Sequence, residues 1–233
     1  MLTAKLILER LDKEGRLLER REQKSRSFVK NFIGMLYLPH AYILASAPYS
    51  MNDITNTARD TDSQVGLGGV LARSQKSTLA MAGQPGRATG IYLAGNTGSY
   101  NIEINELNFK EGNLVGIQVG TGTNAVTPTD VALQTRVAHG RSAGQLEYGG
   151  CEFINITFSD PNGEFTIRRY FTNASGGSIT VNEVGIYATA GKAIGTNGGN
   201  TYIFLIARDK VDPGVAVADT EILRATYVPL ITV

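Results

Sequence analysis

The second half of the chain constrains the fold most, because short β-type runs follow one another there with turn residues between them and no helical pattern. The runs are rich in β-branched and aromatic residues, and Gly, Asn, Asp and Pro separate them at short spacing. Strands that succeed one another without crossover helices predict a mainly β chain, with an antiparallel β-sandwich or jelly-roll-like domain over residues 91–233. The predicted strands cover residues 90–93, 100–107, 114–119, 131–137, 150–158, 164–173, 178–188, 201–210 and 221–233.

One turn in this domain is predicted to join two paired strands. Residues 173–177 read Asn-Ala-Ser-Gly-Gly, and β-type runs lie on both sides of them. In the first run Phe165, Ile167 and Arg169 are predicted to share one face, and in the second Ile179, Val181 and Glu183 share another. Such alternation predicts strands that pair, bury one face and leave hydroxyl and amide groups on the other.

Residues 1–38 are predicted to form an N-terminal β-hairpin and one amphipathic α-helix, which together would serve as an assembly arm. The hairpin flanks a turn at residues 12–15, where Gly15 supplies the positive φ that the turn needs. Residues 1–30 contain nine Lys or Arg and five Asp or Glu. Mixed charge of this kind indicates either a solvated ribbon or an arm that docks on an acidic neighbour.

The helix is predicted over residues 25–38, with Ser25 or Ser27 as its cap and Pro39 after its end. Its apolar residues recur at helical spacing and form a wide stripe. The stripe would either cover one end of the sandwich or pack against another subunit. The candidate subunit interface consists of Phe28, Phe32, Ile33, Leu36 and Tyr37.

Residues 39–90 are predicted to be an irregular, loop-rich segment, with Ser, Thr, Asn, Asp and Gly dominant between 50 and 69. A loop this long within a compact domain is usually functional or is ordered by neighbouring chains. We therefore add it to the helix as part of the candidate interface.

Composition excludes several classes of partner. A net charge of +1 gives no argument for nucleic acid, and no stretch of 18 apolar residues is present to cross a membrane. A single cysteine rules out an intrachain disulfide, and the first residues do not resemble a signal peptide. We expect folding in a cytoplasm, with no nucleic acid and no membrane as partners.

Residues 140–144, Gly-Arg-Ser-Ala-Gly, formally match the nucleophile elbow of serine hydrolases. That elbow needs a helix after the serine, whereas the sequence after Ser142 leads into another strand, and His139 is too close in sequence to be the usual base. We therefore predict no catalytic residue.

No metal or cofactor site is predicted either. His40 and His139 form no ligand pair, and Cys151 is most simply a small buried residue. Asp53, Asp60 and Asp62 cluster in a polar stretch but lack calcium-loop spacing, which favours a solvated loop.

Three segments resemble virion proteins of tailed bacteriophages. The first combines residues 116–123, Gly-Ile-Gln-Val-Gly-Thr-Gly-Thr, with residues 126–130, Val-Thr-Pro-Thr-Asp, and Ala132-Leu133. The second is residues 165–187 and the third is residues 204–209, Phe-Leu-Ile-Ala-Arg-Asp; residues 9–37 also look like the start of such proteins. The resemblance implies a structural role in a virion and no catalytic residue.

The sequence thus leads to one hypothesis with alternatives. The chain is expected to be a non-enzymatic homo-oligomer, a trimer or higher ring, that joins other virion proteins at the tail, baseplate, an adaptor or a fibre. It would be made in the host cytoplasm and reside in the virion. The alternatives are a capsid decoration or cement protein, a lectin-like receptor-binding module and, as an enzyme, a hydrolase that uses Ser142 or a carboxylate pair.

Overall fold

A computed structural model of the chain describes residues 2–25, 28–37, 50–60, 114–191 and 201–232. These residues are mainly β and their sheets are antiparallel, which confirms the predicted fold class at that level. None of the described helical residues forms a span long and apolar enough to cross a bilayer. The elements are β1 (Leu2–Leu11), β2 (Leu17–Ser25), α1 (Lys30–Tyr37), β3 (Ser50–Asn52), β4 (Ala58–Asp60), β5 (Gly116–Gly120), β6 (Glu147–Ser159), β7 (Asn162–Thr172), β8 (Ile179–Gly191), β9 (Thr201–Val217) and β10 (Ile222–Thr232).

The larger sheet has five strands in the order β2-β1-β10-β7-β6. Strand β1 pairs antiparallel with β2 on one side and with β10 on the other. Between β1 and β2, the Asp12 carboxylate accepts the main-chain N–H groups of Glu14 and Arg16, and Gly15 adopts a φ of 83°. The turn therefore uses glycine where a side chain would be strained.

The smaller sheet has the order β5-β8-β9. The turn at residues 173–177 carries the chain from β7 in the larger sheet to β8 in the smaller one, so the prediction that these two strands pair is wrong. The buried side chain of Asn173 explains the corner: its amide donates to the carbonyls of Gly177 and Val217, and its oxygen accepts from Ser175. These bonds fix a corner instead of a tight hairpin turn.

One hydrophobic cluster joins side chains from both sheets. In the larger sheet Ile167 and Phe171 are buried, as the alternation of β7 predicts. Apolar burial of this kind contributes about 25 cal/mol per Å² and is the main source of stability. The cluster includes Leu6, Leu8, Leu223, Ala225 and Tyr227 from the larger sheet, and Ile117, Val119, Val181, Val184, Ile186, Phe204 and Val215 from the smaller one.

A second cluster covers the other face of the smaller sheet. Val29, before α1, and Leu133 pack there against Tyr187, Ile203 and Leu205. Strands β8 and β9 are therefore buried on both faces in their central parts. The segments around residues 29 and 133 therefore contribute buried side chains to the core of the protein.

Helix α1 begins at Lys30, five residues later than predicted. Ser25 is not a helix cap, because it ends β2 and its hydroxyl donates to the buried carboxylate of Asp209. Phe28 bridges to Ala207, and the N–H of Val29 donates to the carbonyl of Ile206. Phe28 and Val29 therefore pair with β9, although their spacing in the sequence suits a helix.

One further prediction is wrong, and another falls mostly outside the described residues. Residues 131–137 are not a strand: they form turns, with a single bridge between Arg136 and Gly120. Within 39–90 only residues 50–60 are described, and they form the short pair β3–β4, whose turn is closed by the Asp53 carboxylate accepting from Thr55 and Thr57. The predicted strands at 90–93 and 100–107 lie outside the described residues.

Candidate functional site

A buried carboxylate lies beneath the segment that follows β5. Glu183, on β8, is 0% exposed. Its Oε1 accepts the main-chain N–H groups of Gly122 at 3.1 Å and Thr135 at 2.8 Å, and its Oε2 accepts that of Gln134 at 3.0 Å. One side chain therefore binds both ends of the segment 121–135, called here the β5 loop.

Arg208 on β9 supplies the balancing charge. Its Nε donates to Glu183 Oε2 at 2.9 Å, and its Nη1 donates to Asp130 Oδ2 at 2.6 Å. Asp130 also accepts the N–H and the hydroxyl of Thr127. Burial alone would raise the pKa of Asp130, but these hydrogen bonds from Thr127 and Arg208 outweigh it and hold the pKa below its ordinary value. The pair of carboxylates and the arginine form a buried network, called here the Glu183 cluster.

Two glycines make room for this carboxylate. A Cβ atom on Gly122 would lie 2.5 Å from Glu183 Oε1. A Cβ atom on Gly120 would lie 2.5 Å from the same oxygen and 2.6 Å from the carbonyl oxygen of Thr135. The Gly-Thr-Gly stretch is therefore explained by close packing around a carboxylate, and the surrounding strand is not followed by a phosphate-binding helix.

The β5 loop also touches α1 and the second hydrophobic cluster. The carbonyl of Pro128 accepts the N–H of Lys30, the first residue of α1, at 2.8 Å. The hydroxyl of Tyr187 accepts the N–H of Leu133 at 2.7 Å. The exposed part of the loop is thereby held next to the start of the helix, and the two form one continuous surface, called here the loop–helix surface (residues 123–129 and 30–33).

The candidate interface residues divide into two groups. Phe28 and Phe32 stack with ring centroids 4.2 Å apart and pack against the main core, so much of their surface is used within the chain. Ile33 is 61% exposed and is available to a partner. Leu36 and Tyr37 belong to α1, but their side chains lie outside the described set.

Other exposed apolar side chains lie on the two outermost strands of the larger sheet. They are Leu17 and Leu18 on β2, and Ile154 and Phe158 on β6. Sequence reasoning did not single them out, because alternation identifies a strand but not whether that strand lies at an edge. Phe158 stands out because it is 82% exposed.

A buried arginine connects the two sheets. Arg169 on β7 donates to the carbonyls of Val115 at 2.8 Å, Ile117 at 3.1 Å and Gly149 at 2.8 Å. Its guanidinium group also lies 4.9 Å from the ring centroid of Tyr148. Burial lowers the pKa of Arg169, but main-chain carbonyls replace the water that the charge has lost.

The charges of β1 and β2 are largely paired across the outer face of the larger sheet. Glu9 receives Arg224 at 2.6 Å and Arg20 at 3.6 Å, and Lys5 pairs with Glu22 at 3.1 Å. Each of these charges therefore has a partner of opposite charge within the same sheet.

The described residues include Ser142, His139 and Cys151, the three side chains considered for catalysis. Ser142 lies in an exposed turn, and strand β6 follows it as predicted. The Nδ1 atom of His139 accepts the main-chain N–H of Tyr148 at 3.0 Å. Cys151 is half-buried, and burial raises the pKa of its thiol, which disfavours the thiolate.

The described residues bring together no group of three or more His, Cys, Asp or Glu side chains able to hold a metal ion. Asp53 is occupied by the turn between β3 and β4. The side chain of Asp60 lies outside the described set, as do Asp62 and His40.

No protein-family model matches this chain, and searches of curated proteins and of solved structures find no match.

Proposed function

We propose that this chain is a non-enzymatic structural component of a tailed-bacteriophage particle, which assembles as a homo-oligomer together with other virion proteins of the tail, baseplate or fibre. The proposed site of action is the loop–helix surface, with Ile33 as its exposed apolar residue. In this role the protein supplies a shaped, rigid surface and no chemistry.

The observation that carries the proposal is that three segments, which we infer from sequence to resemble virion proteins, converge on one cluster. The first segment contributes Gly122 and Asp130, the second contributes Glu183, and the third contributes Arg208. Residues far apart in the sequence are thus devoted to holding one exposed loop in position. Burying charged groups carries a desolvation penalty, and we take the retention of this network as a sign that the position of the loop surface matters for function.

The finer architecture belongs to the same proposal. We infer that the two sheets stack as an antiparallel β-sandwich of jelly-roll type, with β1 and β2 as its N-terminal hairpin. The cluster of side chains drawn from both sheets supports this arrangement, and so does Arg169, which reaches from β7 to main-chain carbonyls next to and within β5. A stacked pair of sheets gives the surface loops a stiff support.

Immunogold electron microscopy of purified particles, combined with mass photometry of the isolated chain, tests the proposal. We expect gold on the tail or baseplate and a mass several times that of one chain. Particles treated with pre-immune serum give the control for labelling. Gold on the head would favour the capsid-decoration alternative, and a strictly monomeric chain absent from particles would overturn the proposal.

A further inference from the structure

The two sheets differ in how their edges are covered. On the smaller sheet, the N–H of Val137 donates to Val119 on β5, and Phe28 bridges to Ala207 on β9. On the larger sheet, β6 is outermost, and contacts with residues 138–146 reach only its beginning, where Tyr148 donates to His139. From residue 151 to 159, no described strand pairs with the outer edge of β6.

The half of β6 whose outer edge pairs with no described strand has few of the features that protect natural edge strands, and the β-bulge between Ile154 and Thr157 is the one it has. Residues 153–159 read Phe-Ile-Asn-Ile-Thr-Phe-Ser, with no charge and no proline. At the other edge of the same sheet, β2 carries Arg20, Arg21, Glu22 and Lys24. An uncharged window of β-branched and aromatic residues, on an edge with no neighbour among the described strands, is typical of a strand that pairs with another chain. Its exposed Ile154 and Phe158 are consistent with this.

The order of residues in the window suits a second copy as the partner. Residues 153–158 read Phe-Ile-Asn-Ile-Thr-Phe. A Phe stands at each end, a β-branched residue stands next to each Phe, and Asn155 and Ile156 occupy the centre. In an antiparallel pair of two copies, Phe153 would lie opposite Phe158 of the partner subunit, and Ile154 opposite Thr157 of the partner subunit. Aromatic pairs and β-branched pairs stabilise facing strands, and a twofold contact requires such self-complementarity.

We infer that β6 pairs antiparallel with β6 of a second copy, about a twofold axis between Asn155 and Ile156. A β-bulge between Ile154 and Thr157 lies at that axis, so main-chain pairing forms in the segments on either side of it. The inference rests on the proposed function only in that copies associate. It adds a contact that is separate from the loop–helix surface.

A charge-complementation experiment on the full chain tests the register. Ile154 and Thr157 are both exposed, and they face Thr166 and Glu164 of β7 within the subunit, so polar substitutions there keep the core intact. We expect Ile154→Glu and Thr157→Lys each to raise the dimer dissociation constant at least about tenfold, measured by analytical ultracentrifugation. An equimolar mixture should regain wild-type association, because the mixed pair places the new carboxylate opposite the new ammonium group.

Leu18→Lys is the matched control, since Leu18 is 48% exposed on β2 at the opposite edge and Ile154 is 42% exposed. It should associate as the wild type does. Circular dichroism checks that each variant folds, and amide exchange of residues 153–158 in the wild type should slow as concentration rises.

The possible results separate the two proposals. A wild type that associates, with both variants associating equally well, would overturn β6 pairing and leave the proposed function standing. Weakened variants that the mixture does not restore would refute the twofold register. A wild type that stays monomeric, with concentration-independent exchange, would overturn both β6 pairing and the homo-oligomer.

Discussion

Replacing Glu183 by Gln tests whether the buried carboxylate holds the β5 loop in place. The substitution keeps the size of the side chain and removes its charge. Glutamine retains one acceptor oxygen, but its NH₂ group then faces main-chain N–H groups that need an acceptor. Arg208 loses one of its two carboxylate partners and keeps Asp130.

The size of the effect follows from burial. Removing one partner of a buried ion pair costs about 3–5 kcal/mol, because an uncompensated charge stays in the interior. The remaining contact between Arg208 and Asp130 places the expected loss at the lower end, about 3 kcal/mol. For a chain of this length, that lowers the thermal midpoint by roughly 6–12 °C.

Two measurements check the prediction. Thermal or denaturant unfolding gives the change in the free energy of unfolding, and amide exchange gives the protection of the β5 loop and of the N–H of Lys30, which bonds to Pro128. Glu152→Gln is the control, since Glu152 makes an ion pair with Arg168 at the surface and its loss should cost no more than about 0.5 kcal/mol. The reasoning is refuted if Glu183→Gln is as stable as the control and the loop exchanges at the wild-type rate.

Three further substitutions probe the same framework. Gly122→Ala should lower the free energy of unfolding by about 1–3 kcal/mol through overpacking against Glu183, whereas Gly177→Ala, with open space around it, should be tolerated; denaturant titration compares them. Arg169→Lys should destabilise by about 2 kcal/mol, because the bonds to the three carbonyls come from two separate guanidinium nitrogens and a single Nζ atom cannot occupy both positions. Arg168→Lys at the surface should be close to neutral in the same titration. Asp130 has a pKa in the folded protein below the ordinary value of 3.8, so the stability it contributes is complete above that pH and is lost as the pH falls through the lowered pKa. Asp130→Asn should therefore reduce the drop in thermal midpoint between about pH 5 and pH 2. An unchanged drop would contradict this.

Much of the strand content could be predicted because alternation is a local property. Ile167, Phe171 and Val181 are buried where the period of two places them. Errors arose where long-range contacts overrode local preference. Phe28 has helical spacing to its neighbours, yet it bridges to Ala207 of β9. Residues 131–137 were predicted as a strand, but the main-chain N–H groups of Gln134 and Thr135 donate to Glu183 instead of to a neighbouring strand.

The candidate site was predicted only in its parts. The Gly-Thr-Gly stretch, Asp130 and Arg208 all lie in segments predicted to resemble virion proteins, but nothing in their spacing shows that they meet. Glu183 was predicted to belong to an alternating strand, and no separate role was predicted for its carboxylate. A charged residue inside an otherwise apolar face was the available signal, since such a group needs a partner.

The sequence by itself determined that this is a mainly β chain with tight glycine turns, because side-chain alternation and backbone conformation act over a few residues. Only the tertiary structure decided which strands became neighbours, which of them were left at an edge, and which charges were buried together. Those outcomes depend on contacts between residues such as Gly122, Glu183 and Arg208, which are far apart in the chain and are brought together only when both sheets have formed.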